Sequence, residues 1–396
     1  MTGETTLVLI RYGEIGLKGR NRPAFERRLA DRVRLALKPI GGRVWREHGR
    51  LFAEAPVGWA EMQRRLEGVF GIVSFSPVRR VPLDLDAVIA AARDELRGAL
   101  SDRPPGPATF RVAARRANKR FPYQSMDINR RVGAALLADP PPGRGLAVDL
   151  GDPDVTVHIE VRDDAAYVFA RTAAGPGGLP VGSSGRALAL LSGGIDSPVA
   201  VWMMMKRGVQ VDAVHFHSYP FTSDRSREKV VDLARILARY GGPLNLHVVH
   251  FTDVQTAISR HCPPQWIVTI MRRMMFRIAE RLAAQHGALA LVTGESVGQV
   301  ASQTLESLQT IGEVAALPVL RPLVGFDKTE IVEMARRIGT YETSILPYQD
   351  CCALFVPKNP VTRPRPEQAR AVEAPLDIEP LIAGALERTE TLRFAP

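Results

Sequence analysis

The 396-residue sequence predicts an α/β protein in which a mixed α+β half precedes a larger domain built on a doubly wound parallel sheet. Three observations predict this. Apolar runs at 187–191, 211–216, 246–251 and 288–292 alternate with helical stretches, the pattern of parallel strands buried on both faces. A Gly/Pro/Ser run at 174–185 with little charge separates that half from the rest. Before the run, strands and helices are too short and mixed for a doubly wound sheet.

In chain order, 7–11 reads as an apolar strand, followed by a loop punctuated by Gly13, Gly16 and Gly19. A helix follows from Pro23 to about Leu37, with Phe25, Leu29, Val33 and Leu37 on its buried stripe. Its other face carries Arg27, Arg28, Arg32 and Arg34. Asn21 reads as the cap, and Pro23 suits the first turn, where a missing N–H leaves no bond unmade. Between 63 and 171 the stretches 109–113, 155–161 and 166–171 read as strands, and 85–100 and 128–137 as helices. Proline-rich breaks at 103–107 and 140–145 are loops, and the 174–185 run is expected to be a flexible linker. Beyond it, helices at 197–207, 224–240, 264–285 and 329–338 alternate with the four strands, and no internal repeat occurs.

Composition narrows the function. Apolar residues make up 45% of the chain, which excludes a mostly disordered protein. No uncharged apolar stretch reaches the length of about eighteen residues that a membrane-spanning helix needs, so no membrane partner is expected. Glu4 stands where a secretory signal requires a basic flank. Cys262, Cys351 and Cys352 are too few for a disulfide framework and point to the reducing cytoplasm. Net charge is +10, and residues 1–59 hold twelve Lys/Arg against six Asp/Glu, whereas 60–172 hold seventeen against fifteen. Such a local excess attracts phosphate backbones, although a solubilising surface would carry the same charge.

The strongest local signal is Leu190-Leu191-Ser192-Gly193-Gly194-Ile195-Asp196-Ser197, where the first strand of the second half turns into a helix. Gly193 and Gly194 let the backbone approach an anion, Ser192 and Ser197 offer hydroxyls, and the following helix aims unpaired N–H groups at the same point. No lysine follows the glycines, which excludes a Walker-type loop. The pattern resembles the PP-loop of ATP pyrophosphatases, with Asp196 in the Mg²⁺ or phosphate network; a glycine turn that binds nothing is the alternative. At later strand ends lie His215-Phe216-His217-Ser218, placed to hold adenine, and Gly294-Glu295-Ser296 followed by the stretch from Gly298 to Gln303. Arg272 and Arg273 on the long helix are within reach of phosphate. Asp350-Cys351-Cys352 lies between Pro347 and Pro357. Adjacent cysteines lack the spacing of zinc ligands, and no set of metal-ligating side chains is expected. The pair either carries sulfur as a persulfide or packs as half-buried thiols. Cys262, in an apolar helical context, is assigned to packing.

With these residues in hand, a family resemblance is specific. Arg11-Tyr12-Gly13-Glu14-Ile15-Gly16-Leu17-Lys18-Gly19-Arg20-Asn21-Arg22, the SGGIDSP loop, HFHSYPFTS, MRRMM, TGESVGQVASQT and DCC followed by KNP resemble the tRNA 4-thiouridine synthetases, the tRNA uracil 4-sulfurtransferases also linked to thiamine thiazole synthesis. The motifs run from Arg11 to Pro360 in family order. The resemblance implies a ferredoxin-like domain over 1–62, a THUMP RNA-binding domain over 63–172, a linker over 173–186 and a PP-loop domain over 187–396. It places ATP contacts on Leu190, Leu191, His215, Phe216, Arg272, Gly294 and Gln303 beside Ser192, Gly193, Gly194 and Ser197. Asp196 and the sulfur-handling Cys352, with its neighbour Cys351, become the catalytic residues. Lys18, Arg20, Arg27, Arg28, Arg115, Arg116, Lys119 and Arg120 are the expected tRNA contacts. The implied cofactors are ATP and Mg²⁺. The implied partners are tRNA, a cysteine desulfurase as sulfur donor and a thiamine-pathway sulfur carrier, and a homodimer sharing the tRNA surface would fit. The resemblance is to the short form of the family, in which the rhodanese-like domain of longer members is not expected. The rival readings are another PP-loop enzyme, such as a tRNA 2-thiouridylase, and a non-catalytic tRNA-binding module that keeps an ATP site.

Overall fold

The computed structural model describes residues 5–47, 50–101, 103–348 and 359–395, so the expected catalytic cysteines Cys351 and Cys352 lie outside the described residues. The chain divides into two compact units, Met1–Gly19 with Val33–Gly177, and Arg20–Arg32 with Gly178–Pro396.

From the N-terminus the elements are β1 (Thr6–Tyr12), α1 (Arg22–Leu37), β2 (Arg43–Glu47), β3 (Arg50–Ala55), α2 (Trp59–Leu66) and β4 (Ile72–Pro77). There follow β5 (Arg79–Val81), α3 (Leu85–Ser101), β6 (Ala108–Arg116), α4 (Ser125–Ala138), β7 (Leu146–Val148), β8 (Val155–Val161), β9 (Ala166–Phe169) and β10 (Ala173–Ala174). They build two sheets. In the first, antiparallel and ordered β10-β4-β1-β3-β2, the apolar run of β1 is central, with Val8, Leu9 and Ile10 fully buried. In the second, ordered β5-β9-β8-β6-β7, β6 runs parallel to both neighbours. Val88, Ala92 and Leu96 of α3 and Ile128, Val132 and Leu136 of α4 recur at helical spacing and bury against Phe110, Val157 and Ile159. Asp84 caps α3 by accepting from the Ala87 N–H at 2.9 Å. Leu9 and Phe52 of the first sheet share an apolar cluster with Tyr167 and Phe169 of the second, and the Arg11 guanidinium lies 4.6 Å from the Phe169 ring centroid.

The boundary expected at residue 62 falls inside α2, and the first sheet takes β4 and β10 from beyond it. The reason is backbone hydrogen bonding: β1 has donors and acceptors on both edges, and β3 satisfies only one.

The 174–185 run departs from the expectation of a flexible linker. Its first part bonds to β4's surroundings, Gly177 N donating to Ile72 O and Gly71 N to Gly177 O, each at 2.8 Å. Its last part belongs to the second unit, where Leu179 N donates to Lys206 O at 2.9 Å and Gly182 N to Gly208 O at 2.8 Å. Glycine there serves close approach: at Gly178, with φ +74°, a Cβ would stand 2.1 Å from Lys206 O.

The second unit continues with β11 (Arg186–Leu190), α5 (Asp196–Lys206), β12 (Gln210–His217), α6 (Asp224–Gly241), β13 (Leu244–His250), α7 (Thr252–His261) and α8 (Ile267–Gln285). It closes with β14 (Leu291–Val292), α9 (Leu305–Gly312), β15 (Val319–Leu320), α10 (Lys328–Arg337), α11 (Tyr341–Ser344), α12 (Pro366–Glu373), α13 (Ile378–Glu387) and β16 (Glu390–Phe394). Strand order is β15-β14-β11-β12-β13-β16, parallel except at the edge strand β16. The chain winds from β11 through β12 to β13 and then returns to β14 on the other side of β11. Strand order therefore reverses between β11 and β14, and the crevice at their carboxyl ends is where an open α/β sheet receives its ligand.

Candidate functional site

The crevice at this reversal is a cavity of about 540 Å³. Of the expected nucleotide contacts, Leu190, Leu191, Ser192, Gly194, Asp196, Ser197, His215, Phe216, Arg272, Gly294 and Gln303 all line it, and Gly193 does not. Val214, Val268, Met275, Val300 and Val361 extend its apolar wall, while Thr293 and Glu295 sit at the polar end.

The glycine turn is braced by its own hydroxyls. Ser197 Oγ accepts from Ser192 N at 2.9 Å and lies 3.0 Å from Ser192 Oγ, which in turn accepts from Gly194 N at 3.2 Å. His215 Nδ1 lies 3.1 Å from Leu191 O, tying β12 to the turn. Gly294 packs directly on the start of α5: a Cβ there would stand 2.7 Å from Ser197 N and 2.8 Å from the Asp196 carbonyl carbon. Only glycine lets the end of β14 lie this close to the turn.

Asp196 faces two partners that sequence reasoning did not assign. Lys328 Nζ donates to its Oδ1 at 2.5 Å and Gln299 Nε2 to its Oδ2 at 2.8 Å. Lys328 opens α10, whose Asp327–Glu330 capping box holds the helix end at the crevice; that box, following a strand end, was the available signal. Glu295 was named only within the strand-end stretch and given no role. Its carboxylate is 2% exposed, bonded to Arg272, to Arg321 Nε at 2.7 Å and to Thr293 Oγ1 at 2.7 Å. Burial pushes the Glu295 carboxyl up, but the Arg272 and Arg321 charges and the Thr293 hydroxyl outweigh it and leave the pKa below its ordinary value. Arg272 also donates to Ser302 O at 3.2 Å. Two positive groups share one carboxylate here, and of the two Arg272 lines the cavity.

Arg273, expected to reach phosphate with Arg272, points elsewhere. It is 1% exposed and forms a bidentate pair with Glu373 at 2.8 and 2.9 Å, with Glu313 at 2.9 Å beside it. One residue along a helix turns the side chain by about 100°, so adjacent arginines cannot face the same cavity. Cys262 is buried and its thiol is pushed up to about 11 by burial and by Glu373, as suits a packing residue. Burial holds His217 down to about 4, and its Nδ1 lies 3.1 Å from Thr222 Oγ1. Among the described residues no group of three or more His, Cys, Asp or Glu could hold a metal ion, and no helix is long and apolar enough to cross a membrane.

The expected RNA contacts fall in both units. In the first, Lys18 lies between two short 3-10 turns, and exposed Arg115 with half-buried Arg116 ends β6. Lys119 and Arg120 are exposed in the following turn, and Arg115 and Arg116 join Arg50 and Arg162 around Glu160 in a cavity of about 220 Å³. In the second unit, Arg20, Arg27 and Arg28 are exposed, and Arg28's guanidinium lies against Gly182.

A lysine-free glycine turn at the reversal of a parallel sheet, with a strand-end glycine packed on it, defines the PP-loop class of nucleotide-binding domain. Comparison with known proteins is more specific. Residues 182–378 match the family described as Thiamine biosynthesis protein (ThiI), 7–76 the ThiI ferredoxin-like domain and 84–171 the THUMP domain. A probable tRNA sulfurtransferase of Moorella thermoacetica is 53% identical over 99% of this chain and 98% of its own length. One from Brevibacillus brevis is 52% identical over 97% of this chain and 95% of its own. The crystal structure of a 4-thiouridine synthetase in complex with RNA and ATP superposes with a TM-score of 0.90 at 40% identity, over 99% of this chain and 100% of that one. The chain belongs to the tRNA sulfurtransferase family.

Proposed function

We propose that the protein converts uridine 8 of tRNA to 4-thiouridine, consuming ATP and releasing AMP and pyrophosphate. The observation that carries the reading is the crevice, which gathers the braced glycine turn, Asp196 and Arg272 at the end of an adenine-sized apolar cleft. The family relatives are tRNA sulfurtransferases, and the superposing 4-thiouridine synthetase carries RNA and ATP.

ATP lies with its adenine against Leu190, Phe216 and the neighbouring apolar wall, and its phosphates against the glycine turn at the start of α5. Asp196 is the carboxylate to hold Mg²⁺. Among the described residues no multi-carboxylate cage is found, which would suit an ion carried mainly by phosphates and water. When bound, Mg²⁺ neutralises charge on the phosphates. The uracil O4 attacks the α-phosphorus, pyrophosphate leaves, and the N3 proton is lost as the C4–N3 double bond forms. Arg272, oriented by Glu295 and Ser302, stabilises the charge developing on the α-phosphate. The terminal sulfur of a persulfide on Cys352 or Cys351 then attacks C4, and AMP leaves. A second thiol, the neighbouring cysteine or an added reductant, opens the S–S bond, leaving sulfur on C4 and a disulfide that a thiol reductant must clear.

A cysteine desulfurase supplies the persulfide sulfur, and a thiamine-pathway sulfur carrier is a second acceptor for it. Lys18, Arg20, Arg27, Arg28, Arg115, Arg116, Lys119 and Arg120 grip tRNA through its phosphates, and the reaction belongs to the reducing cytoplasm. The test is reconstitution: pure protein, unmodified tRNA, Mg-ATP, a cysteine desulfurase, cysteine and dithiothreitol. Thiouridine at position 8, with one AMP per product, is the expected result; AMP-free mixtures with no thiouridine would end the proposal.

A further inference from the structure

The stretch that leads from α11 toward the cysteine pair is held by α6 through contacts that nucleotide binding does not require. Lys229 on α6 is 6% exposed, and its ammonium donates to Leu346 O at 2.9 Å and to Tyr348 O at 3.4 Å. Arg225 lies one turn earlier on the same helix face. It donates to the Tyr348 hydroxyl at 3.2 Å and stacks over its ring, 5.8 Å from the centroid. Ile345 and Leu346 are 49% and 42% exposed, so apolar burial does little to hold this stretch and the backbone anchor dominates. A buried ammonium is costly unless it is hydrogen-bonded, and these bonds go to main-chain carbonyls, which fixes the path of the chain itself. At the other end, buried Ser344 donates its hydroxyl to Gly194 O of the glycine turn at 3.4 Å. Residues 344–348 thus run from the nucleotide turn to α6, and Cys351 follows three positions later.

We propose that Lys229, supported by Arg225, is a positioning residue for sulfur transfer, fixing the Leu346–Tyr348 main chain so that the thiols are delivered to a base activated at the glycine turn. The inference rests on the reading that Cys351 and Cys352 carry sulfur. Lys229 does not line the nucleotide cavity, so its loss leaves adenylylation in place and uncouples it from thiolation.

The experiment measures AMP and thiouridine together in the reconstituted reaction, with thermal melts as a check on folding. Wild type gives close to one AMP per thiouridine. Lys229→Met releases AMP within about twofold of the wild-type rate but gives ten or more AMP per thiouridine. Lys229→Arg, which keeps a donor, brings the ratio back toward one. Tyr348→Phe keeps the ring while removing the Arg225 acceptor, and raises the ratio in the same direction even if Lys229→Met fails to fold. A ratio of one in Lys229→Met or, where that variant is unfolded, in Tyr348→Phe overturns the inference, as does an equal loss of both products. Absence of thiouridine from wild type would instead remove the activity on which the inference depends.

Discussion

The close packing of Gly294 on the glycine turn gives a prediction whose size follows from geometry. In Gly294→Ala the new methyl would meet main-chain atoms of Asp196 and Ser197 at 2.7–2.8 Å, well inside contact distance, and main chain cannot swing aside as a side chain can. Forcing a methyl into a packed site costs about 1–3 kcal/mol. If the strain is relieved by displacing the turn, that cost appears in nucleotide affinity as a factor of about 5 to 150. Gly325→Ala is the control, because nothing lies within 4 Å of its Cβ position. Titration calorimetry with ATP, paired with thermal melts of the ligand-free proteins, separates lost binding from lost stability. Wild-type ATP affinity in Gly294→Ala, with an unchanged melting temperature, would refute the packing argument.

Further outcomes follow from the same site. Asp196→Ala is expected to abolish tRNA-dependent pyrophosphate release while leaving tRNA affinity, by filter binding, within a few fold. Glu295→Gln leaves Arg272 and Arg321 without their shared carboxylate, and breaking a buried pair costs about 3–5 kcal/mol, readable in chemical denaturation. Because Glu295's folded pKa is depressed, its contribution is complete above the ordinary value of 4.5 and is lost as pH falls through the folded value; Glu295→Gln should flatten that acid limb. His158 and His217, each held to about 4 by burial, add a decline that begins as pH falls below 6.5, where the unfolded chain takes up protons first. Cys262, its thiol raised to about 11, should resist alkylation in the native protein at pH 8 by mass spectrometry, and Cys262→Ala should keep turnover. Cys352→Ser should still form AMP but no thiouridine.

What the sequence announces and what it hides follow physical lines. Strands buried on both faces are long apolar runs, so β11, β12 and β13 were legible, as was the glycine turn, whose residue types are dictated by anion approach. The edge strand β16 and the β2–β3 pair carry polar residues between apolar ones and have no such signature. The 174–185 glycines were misread because sequence cannot tell a glycine that gives freedom from one that permits contact, and Gly178 is of the second kind. In the crevice, the turn and strand-end residues were legible as motifs. Arg321 was not, and Lys328 was marked only by the capping box at its helix start, because a lone lysine or arginine declares its partner only when the fold brings Asp196 or Glu295 to it.

The central claim is that the uracil oxygen leaves on AMP. tRNA carrying ¹⁸O at O4 of uridine 8, run through one turnover with Mg-ATP and a sulfur donor, tests it directly by mass spectrometry of the AMP. One ¹⁸O per AMP, with unlabelled pyrophosphate, is the predicted result. Unlabelled AMP alongside thiolated tRNA would contradict activation of the base at the glycine turn.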